Sequence, residues 1–100
     1  MTGRGYELHT VTLAVDTRAT GAILGQYGRT LNRIASSGVF VNLDRETTVR
    51  VAHHTTTYHH LYVCSTDVQV VRNAVQELLD LCSHAHYVCL VANSTSTQWP

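Results

Sequence analysis

Gly21-Ala22-Ile23-Leu24-Gly25-Gln26-Tyr27-Gly28-Arg29-Thr30-Leu31-Asn32-Arg33-Ile34 is the stretch on which the reading of this chain turns. Two apolar residues run into Gly-x-x-Gly, and Leu31 and Ile34, at i and i+3, continue as a helix. A four-residue loop with glycine at both ends lets two helices meet at a sharp corner. It also lets a bulky polymer backbone come close, because neither glycine has a Cβ. The loop opens into a helix N-terminus, where free N–H groups and the dipole favour a phosphate. Such a corner is a place to hold nucleic acid.

The flanking sequence supplies strands and helices in a definite order. Residues 1–7 hold two glycines and read as a flexible leader. In residues 9–15, Val11, Leu13 and Val15 alternate with Thr10, Thr12 and Ala14, the period of a half-buried strand. Asp16-Thr17 can cap a short helix through Leu24. The second helix runs from about Arg29 to Ser37, and Gly38 suits a left-handed stop. Val39, Val41 and Leu43 alternate as a second strand. Residues 44–58, with Val49 and Val51 alternating among polar residues, read either as a long loop or as a β-ribbon continuing that strand.

A third strand is expected near 59–64, and Ser65-Thr66-Asp67 resembles a helix start. Val68, Val71, Val75, Leu78, Leu79 and Cys82 then form one apolar stripe, the clearest helix in the chain. Residues 86–92 are an apolar run of strand type, followed by a polar tail. The order β-α-α-β-β-α predicts an α+β fold. A three-stranded antiparallel sheet has three helices on one face, with an extra strand near the C-terminus. The other face stays partly open, with room for a ligand strand.

Composition bounds the chemistry. A chain of 100 residues, 44% hydrophobic and 14% charged, suits one compact domain with a real core. Seven basic and seven acidic residues cancel, and every basic residue is Arg. A neutral chain lacks the broad footprint of a duplex binder, but a local Arg patch can still grip a short single strand. Seven His residues add positive charge as pH falls through roughly 6.5. Three Cys make a disulfide framework a poor fit and favour reduced thiols. With no signal peptide in the first ten residues and no run near the ~20 apolar residues of a membrane helix, the expectation is an intracellular protein.

At this point the chain resembles a type I KH domain. The family's Ile-[Ile/Leu]-Gly-x-x-Gly followed by an apolar residue stands here as Ile23-Leu24-Gly25-Gln26-Tyr27-Gly28-Arg29-Thr30-Leu31. Its later landmarks stand as Ile34 and Ser37-Gly38-Val39-Phe40-Val41-Asn42-Leu43. The resemblance covers residues 9–82 and leaves 83–100 as a C-terminal extension. KH domains in tandem, as in Bicaudal-C-like proteins, show similar continuations.

The resemblance implies a module for single-stranded RNA, or ssDNA, holding about four nucleotides in a narrow groove. Gly25, Gln26, Tyr27 and Gly28, with Gly21 just before them, would clamp the backbone. Leu24 and Leu31 would line one wall, and Val41 and Leu43 the floor. Arg29 and Arg33 could approach phosphates, and His60, or its neighbour His59, could read a base edge. The loop departs from the family's pattern. The middle loop residues are usually basic or Gly, and here they are Gln26 and Tyr27. Losing a Lys there removes a phosphate contact, which stacking by Tyr27 partly offsets.

Other clusters have plainer readings. His53-His54 and His59-His60 suit either a metal site or pH switch, or a solvated Thr/His loop. Cys82, His84, His86 and Cys89 match no familiar zinc spacing, and both Cys read as small buried hydrophobes. No metal or cofactor is expected. No pair of carboxylates and no Ser/His arrangement suggests catalysis, so the expected work is binding. A reading of another class competes: a KH-like scaffold for protein interaction or homodimerisation that has lost its nucleic acid. Zero net charge, the absent Lys and the apolar run at 86–92 favour it.

Overall fold

The structure, a computed structural model, describes residues 6–35, 38–53 and 55–99. It is an α+β fold. Strand β1 (Tyr6–Asp16) leads through a 3-10 turn at Thr17–Ala19 into helix α1 (Thr20–Leu24). A second 3-10 turn, Gln26–Gly28, joins α1 to α2 (Arg29–Ala35). Strands β2 (Phe40–Arg50) and β3 (Thr57–Ser65), helix α3 (Val68–His84) and strand β4 (Cys89–Trp99) follow. The four strands form one antiparallel sheet in the order β2-β3-β1-β4.

Alternation in the central strand sets the layers. Leu13 and Val15 point to the helical side, and Leu13 pairs directly with Leu61 of β3. These residues, with Val63, Ile23, Ile34, Ala74, Leu78 and Cys82, make a single buried core. Helix α3 packs on β1 and β3, α2 on β2, and α1 between the other two helices. Val68, expected in the apolar stripe, is 41% exposed, because it opens the helix at its solvent end, and Ala74 is buried instead.

Local signals explain the helix starts. Asp67 caps α3 by accepting from Gln69 N at 2.9 Å. Asp16 caps the first turn by accepting from Arg18 N at 2.9 Å. The same buried carboxylate accepts from Arg18 Nε at 3.1 Å and Nη2 at 2.7 Å. The Arg18 side chain is exposed and its guanidinium lies 5.2 Å from the centre of the Tyr87 ring.

Several boundaries differ from the sequence reading. The first strand begins at Tyr6 rather than residue 9, so the end of the expected leader belongs to the sheet. Residues 1–5 lie outside the described residues. The second helix is described as far as Ala35, and its expected end at 36–37 also lies outside them. The second strand runs on to Arg50, so the ribbon alternative holds for 44–50. The third strand spans 57–65 and the last helix reaches His84.

The largest correction is at the C-terminus. The extra strand is 89–99 rather than 86–92, and the expected polar tail pairs with β1 from Tyr6↔Trp99 to Thr12↔Asn93. The sheet therefore has four strands. Its ladder satisfies backbone groups whatever the side chains are, so a Ser/Thr-rich segment serves.

The Arg18 guanidinium bonds hold the Asp16 carboxyl below the ordinary carboxylate range, against the opposing effect of burial. A lowered folded-state value means stability that is present at neutral pH and lost as pH falls through that value. Asp16→Ala is expected to cost about 1–2 kcal/mol at pH 7 by urea denaturation. The gap to the parent chain should close below about pH 4.

Candidate nucleic-acid interface

The corner between α1 and α2 is built by two glycines in left-handed backbone. Helix α1 stops at Gly25, whose N–H donates to Gly21 O at 2.9 Å. Gly25 sits at φ 70°, ψ −178°, a region that essentially only glycine occupies. A single turn follows, closed by Gly28 N–H donating to Gly25 O at 3.2 Å, with Gly28 at φ 73°. Arg29 then opens α2.

The two glycines have different reasons to be there. A Cβ on Gly25 would collide with the Thr30 hydroxyl and lie 2.7 Å from Thr30 Cβ and 3.0 Å from its backbone nitrogen. The first turn of α2 therefore packs directly on the bare Gly25 backbone. A Cβ on Gly28 would meet only Asn32 Nδ2, at 3.9 Å, so space outside Gly28 is open. Gly21 also faces open space. Gly25 holds the corner together, and Gly28 presents uncovered backbone.

An apolar strip adjoins the corner. Leu31 of α2 and Val41 and Leu43 of β2 are half-buried and pack against the core from the helical side. Helix α2 lies on β2, so these three share one flank of the molecule. Leu24 is half-buried at the end of α1, while Gln26 and Arg29 are exposed. The Tyr27 side chain lies outside the described residues. Helix α2 is only seven residues long, so few peptide dipoles add at its start and the expected pull on a phosphate is small.

Two expected site residues stand differently. Arg33 forms an ion pair with Glu77 of α3, Nη1 to Oε1 at 2.6 Å. Both side chains are solvent-accessible, so the pair is weak and can open. His60 lies between Leu61 and the buried Tyr58 and pairs with Ala14 and Asp44. Strand alternation puts it on the sheet face away from the helices, opposite to Val41 and Leu43. It is not brought together with the corner. His59 shares the helical side by register, and its Nδ1 bonds Thr47 O at 3.2 Å.

Two features escaped the sequence reading. The open sheet face carries aromatic rings: Phe40 is 64% exposed. On the same face the rings of His60 and Tyr62 meet edge-on, centroids 5.8 Å apart, with Tyr62 Oη 3.3 Å from His60 Nδ1. The alternation Tyr58, His60, Tyr62 was the available signal. The second feature is an open depression of about 570 Å³ at the outer edge of β2, lined by Asn42, Leu43, Asp44, Arg45 and Glu46. Asp44 turns the chain there by accepting from Glu46 N at 3.1 Å and Thr47 N at 3.3 Å. Two carboxylates and one Arg leave this end of the strip net negative.

Cys82, near the end of α3, and Cys89, at the start of β4, flank the turn between them. Interaction with the Cys82 thiol, together with burial, pushes the Cys89 thiol up, so it stays protonated. Among the described residues no three His, Cys, Asp or Glu side chains converge as a metal site would require. Among those residues no helix is long and apolar enough to cross a membrane.

No family model matches the chain. No curated protein matches it. Among solved structures it is similar to a de novo designed protein, Foldit4, with a TM-score of 0.44 and 15% identity, over 91% of this chain and 94% of that chain.

The unequal packing of the two glycines gives a stability test. Gly25→Ala should cost about 2–4 kcal/mol, from strained backbone plus collision with Thr30. Gly28→Ala, strained but unobstructed, should cost about 1–2 kcal/mol. Equal losses in chemical denaturation would contradict the packing described for Gly25.

Proposed function

We propose that this chain is a KH-like module that holds a short segment of single-stranded RNA, or ssDNA, against the corner at Gly25–Gly28. The observation that carries the reading is the corner itself. Two left-handed glycines join two short helices, the Gly28 backbone lies open, and the half-buried strip of Leu31, Val41 and Leu43 runs beside it. The element order β-α-α-β-β-α through His84 supports the resemblance. Bare backbone accepts the sugar-phosphate chain closely, and an apolar strip accepts base faces without reading their edges.

On this reading Gly25 shapes the corner, Gly28 and Gln26 meet the backbone, and Arg29 approaches a phosphate. Leu24, Leu31, Val41 and Leu43 cover the bases. Arg33 joins only when its pair with Glu77 opens. Few cations are engaged, so binding is weak and its salt dependence shallow. The work is binding rather than catalysis.

One observation favours a second reading, a protein-interaction scaffold. Asp44 and Glu46 border the end of the strip, where a phosphate chain leaving Leu43 would meet negative charge.

Fluorescence anisotropy with labelled short single-stranded RNAs separates the two. The parent chain should bind. The folded double variant Gln26→Asp, Tyr27→Asp should bind at least about tenfold more weakly, because two carboxylates stand where phosphate lies. Equal affinity of both chains would exclude the corner as the site.

A further inference from the structure

We propose that the outer edge of β4 pairs with the same edge of a second copy of this chain, across a two-fold axis, to make one continuous eight-stranded sheet. Strand β4 stands at the end of the order β2-β3-β1-β4. Its inner side is paired with β1 over its whole length. Among the described residues no strand meets its outer side, so a row of N–H and C=O groups faces outward there. The bulge at Ala92, where the register shifts between Leu13 and Thr12, interrupts that row. Beyond it, Asn93–Trp99 continues for seven residues with no further shift, and within it the Ser94 N–H donates to Asn93 Oδ1 at 2.9 Å.

The two edges of the sheet are guarded differently. The edge at β2 carries Asp44, Arg45, Glu46 and Arg50, and its ladder to β3 breaks between Asp44 and Val49. Charge and irregularity of this kind keep foreign strands away. The edge at β4, Cys-Leu-Val-Ala-Asn-Ser-Thr-Ser-Thr-Gln-Trp, contains no charged residue, no Pro and no Gly. Asn93, Ser94, Thr95 and Ser96 are exposed and can all hydrogen-bond across a strand pair. Beside the run, Val91 is 55% and Val88 46% exposed, apolar surface that a partner would cover.

The same features point to a copy of this chain as the occupant. Two identical strands laid antiparallel are self-complementary under a two-fold axis. With no charge on the strand, pairing it with its own copy brings no like charges together. The whole chain has zero formal net charge, so nothing opposes approach at long range. With a single unguarded edge, the assembly closes at two copies and does not grow into a filament.

This inference does not rest on nucleic-acid binding. Strand β4 lies three strands from β2, so pairing leaves the Gly25–Gly28 corner of each copy free. Two linked corners would raise avidity for any strand long enough to reach both.

Sedimentation equilibrium of the full chain over a range of concentrations tests the proposal. The weight-average mass should climb from 11.1 kDa toward twice that value. Thr95→Lys and Thr95→Glu, each at an exposed position, should stay monomeric with unchanged circular dichroism. Mixing the two should restore a dimer of one copy each, because with the axis at Ser96 the two residues at position 95 are diagonal neighbours and their opposite charges now attract. Independently, amide exchange within Asn93–Gln98 of the parent chain should slow as concentration rises. A parent chain that remains at monomer mass at every concentration overturns the proposal. A dimer that persists in both charged variants overturns it too.

Discussion

Strand β1 is hydrogen-bonded on both sides, and the period of its side chains organises everything else. Leu13 and Val15 must face one way, and so the residues paired with them on β3 and β4 face that way too. The helices can dock only where this apolar surface lies. A slip of one residue would turn Leu13 and Val15 to solvent and bring Ala14 and Asp16 under the helices, so the register is strongly fixed. The corner at Gly25–Gly28 follows from the same constraint. Ile23 and Ile34 both enter the same core cluster, and the chain between them has little length in which to reverse. Gly25 makes that reversal by leaving room for Thr30.

What the sequence revealed is what periodicity can carry. The alternation of residues 11–15 and the stripe Val71, Leu78, Cys82 report buried faces, and Leu13, Val15, Val71, Leu78 and Cys82 are buried in the structure, while the glycine corner reports a turn and the chain turns there. Strand β4 is only half visible in the sequence because Asn93–Ser96 are polar, exposed residues with no apolar alternation. Its place comes from backbone pairing with Tyr6–Thr12, a contact about ninety residues away in the chain that leaves no local pattern. The same long-range pairing explains why the leader was misjudged. The extension of β2 past Leu43 was ambiguous because the four residues from Arg45 to Thr48 stand outside the ladder, erasing the alternation.

The candidate site shows the same division. Its glycines and apolar strip were legible, since both are local. The partner of Arg33 was not, because Glu77 belongs to a helix more than forty residues on. Nor was the face of His60, which depends on counting alternation back from Leu61 in a strand whose ends were uncertain. The acidic border at Asp44 and Glu46 is visible as composition, but only the fold sets it beside Leu43. Together these set Arg33 and Arg45 beside carboxylates, so on the proposed reading contact between bases and apolar side chains carries most of the affinity.

On the proposed reading two surfaces are candidates for a single strand: the flank formed by the corner with Leu31, Val41 and Leu43, and the open sheet face with Phe40, His60 and Tyr62. Backbone-amide chemical-shift mapping of the parent chain, titrated with a pool of short single-stranded RNAs, distinguishes them directly. The account predicts shifts confined to Gly21–Arg33 and Val41–Leu43. Shifts centred on the strand residues His60 and Tyr62, or none from a folded chain at saturating RNA, would contradict it.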